Sequence, residues 1–113
     1  MSALNYYLCR IKPTRVGMLA EGPTDCEAEA IAEHFAYLQQ LVSDGVVLLA
    51  GRTMTTDERT FGIVLFTAAT EADAAQLMQK DPAVVKGVMQ GELFPFRIAL
   101  WSSSGWPYHE AEV

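Results

Sequence analysis

Three short runs of the chain, Tyr6-Tyr7-Leu8-Cys9, Val46-Val47-Leu48-Leu49 and Ile63-Val64-Leu65-Phe66, are apolar at odd and even positions alike. Successive side chains of a strand point to opposite sides of a sheet, so a strand with one wet face alternates apolar and polar residues. Runs without alternation predict strands covered on both faces. That requirement is severe for a chain of 113 residues, which has the length of one domain and can build one core without disulfide or metal support.

The segments between these runs predict what covers the first face. Asn5 to Lys12 reads as the first strand, ended by Pro13, which has no amide hydrogen for a ladder. Arg15 to Leu19 is expected to continue it irregularly until Glu21-Gly22-Pro23 breaks the chain. Thr24-Asp25-Cys26-Glu27 is a capping-box pattern and starts a helix, with Ile31, Phe35, Leu38 and Val42 as its buried stripe and Ser43-Asp44-Gly45 as its stop. Val46 to Ala50 and Phe61 to Thr67 read as a hairpin joined by a polar connection. Thr70-Glu71-Ala72-Asp73 repeats the helix-start signal, with Ala74, Leu77 and Met78 as the apolar face. Asp81 is placed to cap a turn opened by Pro82, and Gly91 to Trp101 reads as a last strand that Pro95 assigns to a sheet edge.

The order strand, helix, strand, strand, helix, strand is the split pattern of a ferredoxin-like α+β sandwich, with two helices on one face of a four-stranded sheet. Residues 1–101 are expected to form this domain and residues 102–113 a C-terminal tail, in which Trp106, Pro107 and Tyr108 either strap a neighbouring surface or stay loose. Two helices cover one face only. The economical cover for the other is a second copy of the sheet, giving a homodimer, and loops folding back are the alternative. About 800 Å² of apolar sheet at roughly 25 cal/mol per Å² is a drive of order 20 kcal/mol before association costs.

Charge narrows the function classes. A net charge of -6, with no cluster of Lys or Arg, offers nothing to neutralise a phosphate backbone, so nucleic acid is not an expected partner. Apolar runs of this length do not span a bilayer, and no membrane role is expected. Met1-Ser2-Ala3-Leu4-Asn5-Tyr6-Tyr7 has neither a basic leader region nor a long apolar stretch, which points to the cytoplasm. Cys9 and Cys26 lack metal-site spacing and are expected to be reduced thiols. The two histidines, His34 and His109, have no local ligand set, so no metal is expected. No nucleotide-binding or phosphate-loop glycine motif is present, and no cofactor is called for.

His34 lies about 60° from Ile31 and about 40° from Leu38 on a helical wheel, on the border of the stripe that faces the sheet. Histidine there is either a core-edge residue bonded to a carbonyl or a group that moves protons near neutral pH. Asp81 is either only a helix cap or a cap that also bonds an imidazole. Arg52 and Arg97 could hold an anionic substrate, or they face solvent and pair with carboxylates. Tyr7 and Tyr37 are candidate pocket donors or core aromatics, and Gly51 permits close ligand approach or marks a strand-end turn.

Glu33-His34-Phe35-Ala36-Tyr37-Leu38, Leu48-Leu49-Ala50-Gly51, Asp81-Pro82 with Val85-Lys86-Gly87, and Pro95-Phe96-Arg97 together resemble the YCII-related family over roughly residues 4–101. The resemblance implies the fold of dimeric α/β barrels and a catalytic dyad of His34 with Asp81. It also implies a small organic substrate (a phenol, a lactone or a halogenated aromatic), since the family includes a dehydrochlorinase of a chlorinated aromatic diol. The sequence departs from the family pattern after Gly51, where Arg52-Thr53 replace a frequent proline. Lyase or isomerase chemistry would suit the dyad. A non-catalytic ligand-binding or interaction protein is the alternative, and a monooxygenase-like or muconolactone-isomerase-like barrel is a third reading from fold analogy.

Overall fold

The computed structural model describes residues 4–102, so the tail residues Trp106, Pro107, Tyr108 and His109 lie outside the described residues. Its elements run β1 (Asn5–Pro13), α1 (Gly17–Ala20), α2 (Asp25–Ser43), β2 (Val47–Arg52), β3 (Gly62–Ala68), α3 (Glu71–Gln79), α4 (Pro82–Val85) and β4 (Met89–Phe96). The strands form one antiparallel sheet in the order β2-β3-β1-β4, the ferredoxin-like arrangement. Pro95 is on β4, an edge strand, where a missing amide hydrogen leaves no inner ladder broken. Among the described residues, no helix is long and apolar enough to cross a membrane.

Helix starts and stops follow local chemistry. The Thr24 hydroxyl accepts from the Glu27 amide at 3.2 Å while the Glu27 carboxylate accepts from the Thr24 amide at 2.9 Å. The Thr70 hydroxyl caps α3 by accepting from the Asp73 amide. At the end of α2, Gly45 takes a left-handed φ of 79°, and the Val46 amide returns to the Leu41 carbonyl. Gly87 ends α4 in the same way, with φ 73° and a bond from the Val88 amide to the Ala83 carbonyl.

The helix-facing side of the sheet carries Tyr7, Cys9 and Ile11 of β1, Val64 and Phe66 of β3, and Val47 of β2, all buried and packed against Leu38, Ala74 and Met78. Burial pushes the Cys9 thiol up to about 11, so it is packed as a neutral group. The opposite face carries Tyr6, Leu8, Leu65 and Phe94. In the single chain it is open, with Tyr6 39% and Phe94 40% exposed. A register shift between Val47 and Leu49 in β2 leaves both Leu48 and Leu49 exposed near that edge.

Three expectations need correction. Arg15 to Leu19 does not prolong the first strand. Turn bonds from Met18 to Arg15 and from Leu19 to Val16 wind it into α1, and Met18 is buried beneath. The buried line of α2 runs through Ala30 and Leu38, with Ile31, Tyr37 and Leu41 partly covered, whereas Phe35 and Val42 are each 50% exposed. Small Ala30 is fully buried at a place that an apolarity pattern assigns to larger residues. The last strand stops at Phe96, because its pairing with β1 ends opposite Tyr6; Leu100 and Trp101 beyond it are exposed.

Arg15 ties α1 to α2. Its guanidinium donates to both Glu27 carboxylate oxygens, at 2.9 and 2.6 Å, and to the Gly22 carbonyl. This contact and the cap hold the Glu27 carboxyl down at about 2, against an ordinary 4.5. A depressed folded-state value contributes stability above the unfolded value and loses it as pH falls towards the folded one. Glu27→Gln should therefore lower the melting temperature at pH 7, and the gap to wild type should close between about pH 4.5 and 2, read by circular dichroism melts across that range.

Candidate active site beneath the long helix

α4 begins where α3 ends, and it packs beside α2. Asp81 is the residue at that junction. Pro82 at the first helical position has no amide hydrogen to satisfy, so the Asp81 carboxylate accepts the next free one, from Ala83, at 2.9 Å through Oδ1. Its other oxygen, Oδ2, lies 2.6 Å from Nδ1 of His34 on α2. Asp81 is fully buried, and the His34 side chain keeps 15% exposure.

A carboxylate accepts hydrogen bonds and an imidazole nitrogen facing it donates, so the proton of neutral His34 is on Nδ1. Nε2 is then the nitrogen with a free lone pair. His34 lines a cavity of about 350 Å³ between α1, α2 and the sheet, walled mainly by apolar residues such as Met18, Ile31, Phe35 and Met89. The space suits one small ring more than a drug-sized ligand. The arrangement is chemically able to take a proton at Nε2 while the buried carboxylate stabilises the resulting cation.

The other residues singled out from sequence fall in different places. Gly51 and Arg52 line the His34 cavity, Arg52 at its exposed rim. Among the described residues, the Arg52 guanidinium has no ion-pair partner. A side chain at position 51 would meet open space. The tight approach in that hairpin belongs to Gly62, where an added Cβ would lie 3.1 Å from the Gly51 carbonyl. Tyr37 is near the pair without joining it. Its hydroxyl donates to the Leu77 carbonyl at 2.6 Å, and burial, then the Asp81 charge, raise its pKa. Tyr7 packs on Phe66 in the core, and it shares a separate surface depression with Arg97. The cavity also draws in Met18, Leu19 and Thr60, which no sequence pattern singled out; Met18 and Thr60 are buried there and Leu19 partly so, through long-range packing.

The fold and the pair define a ferredoxin-like α+β protein with an imidazole and carboxylate joined beneath its long helix. The sequence profile of the YCII-related domain matches residues 6–97, and the chain belongs to that family. Among solved structures it is similar to 5-chloro-2-hydroxyhydroquinone dehydrochlorinase from Burkholderia phenoliruptrix in complex with 2,5-dihydroxybenzoquinone. The TM-score is 0.61 at 20% identity, over 81% of this chain and 93% of that one. No curated protein matches the sequence.

The pair also carries stability. Asp81→Ala removes a buried cap and leaves His34 without its partner, and should cost roughly 1–3 kcal/mol in urea unfolding. Asp81→Asn should cost less, because an amide oxygen can keep the cap. Its NH2 would then face Nδ1 and move the ring proton to Nε2, a change that nitrogen NMR of the His34 ring reads directly.

Proposed function

We propose that this YCII-related protein is a cofactor-independent enzyme that uses His34 and Asp81 as an acid/base pair on a small phenolic ring. The 2.6 Å contact between His34 Nδ1 and Asp81 Oδ2, made at the wall of an apolar cavity, carries the reading. In it, Nε2 takes the proton of a ring hydroxyl and returns one to a ring carbon, which is a tautomerisation. Where that carbon carries a halide, departure of the halide with a second hydroxyl proton yields a quinone and one equivalent of hydrogen halide. Lyase and isomerase outcomes thus share one base. Arg52, without an ion-pair partner among the described residues and at the rim, is suited to hold a phenolate or a carboxylate. The structural similarity to a dehydrochlorinase bound to a hydroxylated quinone supports the substrate class.

The test is turnover of chlorinated hydroquinones, followed by chloride release and quinone absorbance. His34→Ala should lose about 10²- to 10⁴-fold, and Asp81→Asn should lose activity while staying folded. Equal turnover in wild type and His34→Ala removes His34 from the chemistry. Tight binding of the ring without turnover in either protein moves the reading to a ligand-binding protein.

The working unit in this proposal is a homodimer paired through the open sheet face. Tyr6, Leu49, Phe94 and Phe96 are 37–41% exposed on or beside that face, an apolar surface that water penalises. Sedimentation at micromolar concentration should give a dimer, and Phe94→Asp should give folded monomers. A wild-type monomer at that concentration ends the pairing proposal and leaves the His34 reading untouched.

A further inference from the structure

Three threonine hydroxyls run in file from the end of β2 to Thr60, a residue of the cavity wall. Thr53 Oγ1 accepts from the Phe61 amide at 3.2 Å and lies 2.7 Å from Thr55 Oγ1, which lies 2.7 Å from Thr60 Oγ1. Backbone bonds hold the file in place, from the Thr53 amide to the Phe61 carbonyl and from the Thr60 amide to the Asp57 carbonyl. Thr60 is 4% exposed and lines the same cavity as His34. Among the described lining residues, only His34, Thr60 and Arg52 at the rim have polar side chains.

Each hydroxyl has one hydrogen to give and can accept two, so the file has two polarities. In the first, Thr53 donates to Thr55 and Thr55 to Thr60, and the hydrogen of Thr60 is left for an acceptor in the cavity. The Phe61 amide favours this polarity, since Thr53 then accepts once and gives once. In the second, Thr60 donates to Thr55, Thr55 donates to Thr53, and a lone pair of Thr60 is left for a donor in the cavity. Hydroxyls in series polarise one another, which strengthens the end group in either sense. A ring oxygen at Thr60 could therefore change between hydroxyl and carbonyl without losing its partner.

We propose that Thr60 is a specificity-determining residue that hydrogen-bonds a second ring oxygen when the first is at His34, so that the cavity selects dihydric over monohydric phenols. The proposal rests on the reading of His34 as the proton-transfer group of this cavity. Thr55 and Thr53 act through Thr60 as positioning residues.

Phenol is the one-oxygen probe, and catechol, resorcinol and hydroquinone are the two-oxygen probes. Dissociation constants are taken from the His34 ring resonances in NMR titrations. Wild type should bind the best diol about tenfold more tightly than phenol. Thr60→Val should reduce that preference to about twofold, the statistical value for two equivalent hydroxyls, with phenol affinity retained. Thr60→Ser should keep the preference and Thr55→Val should lower it part of the way, a graded pattern that a purely structural role would not produce. An unchanged preference in folded Thr60→Val overturns the role of Thr60 and leaves the His34 reading standing. Should valine fail to fold, Thr60→Ala is read by the same ratio. Phenols and diols that leave the His34 resonances unmoved overturn both readings.

Discussion

The buried carboxylate of Asp81 joins the start of α4 to α2, which lies 47 residues earlier in the chain at His34. One oxygen satisfies the first free amide of α4, and the other fixes the His34 ring on α2. A buried carboxylate without such partners would pay a large desolvation cost, so the position is held only while both contacts exist. The same contacts determine which imidazole nitrogen is left to the cavity. In the proposed reading, stability and chemistry meet at this one residue.

The walls of the cavity depend on a second electrostatic link. Arg15 and Glu27 tie the α1 turn to the start of α2 through a two-pronged contact, and that turn carries Met18 and Leu19 of the cavity wall. On the far side, the threonine file braces the β2–β3 connection from within, and the close approach at Gly62 brings those strands together. A mainly apolar interior of this kind raises the strength of each hydrogen bond made there.

The sheet poses the opposite problem. One face is sealed by α2 and α3, and the other presents aromatic and aliphatic side chains at two-fifths exposure. The unbroken apolar runs that opened the sequence reading put apolar side chains on both faces, a demand for cover on two sides. The helices satisfy half of it, and the proposed pairing of two sheets would satisfy the remainder without disturbing the helix-side cavity.

Much of this protein is written locally. The capping box at Thr24, the stop at Gly45 and the Asp81-Pro82 start depend on neighbours within a few residues, so the sequence alone determines them. The element order that they punctuate yields the ferredoxin-like fold and puts His34 beside the stripe facing the sheet. Tertiary structure decided what depends on contacts across the chain. It wound Arg15 to Leu19 into α1, moved the buried line of α2 onto Ala30, and ended β4 at Phe96 where its partner strand runs out. It also brought Thr60 and Arg52 to the His34 cavity and set Tyr7 and Arg97 elsewhere. Local bonds are legible in order along a sequence, whereas a cavity is bounded by residues whose only relation is the distance between them after folding.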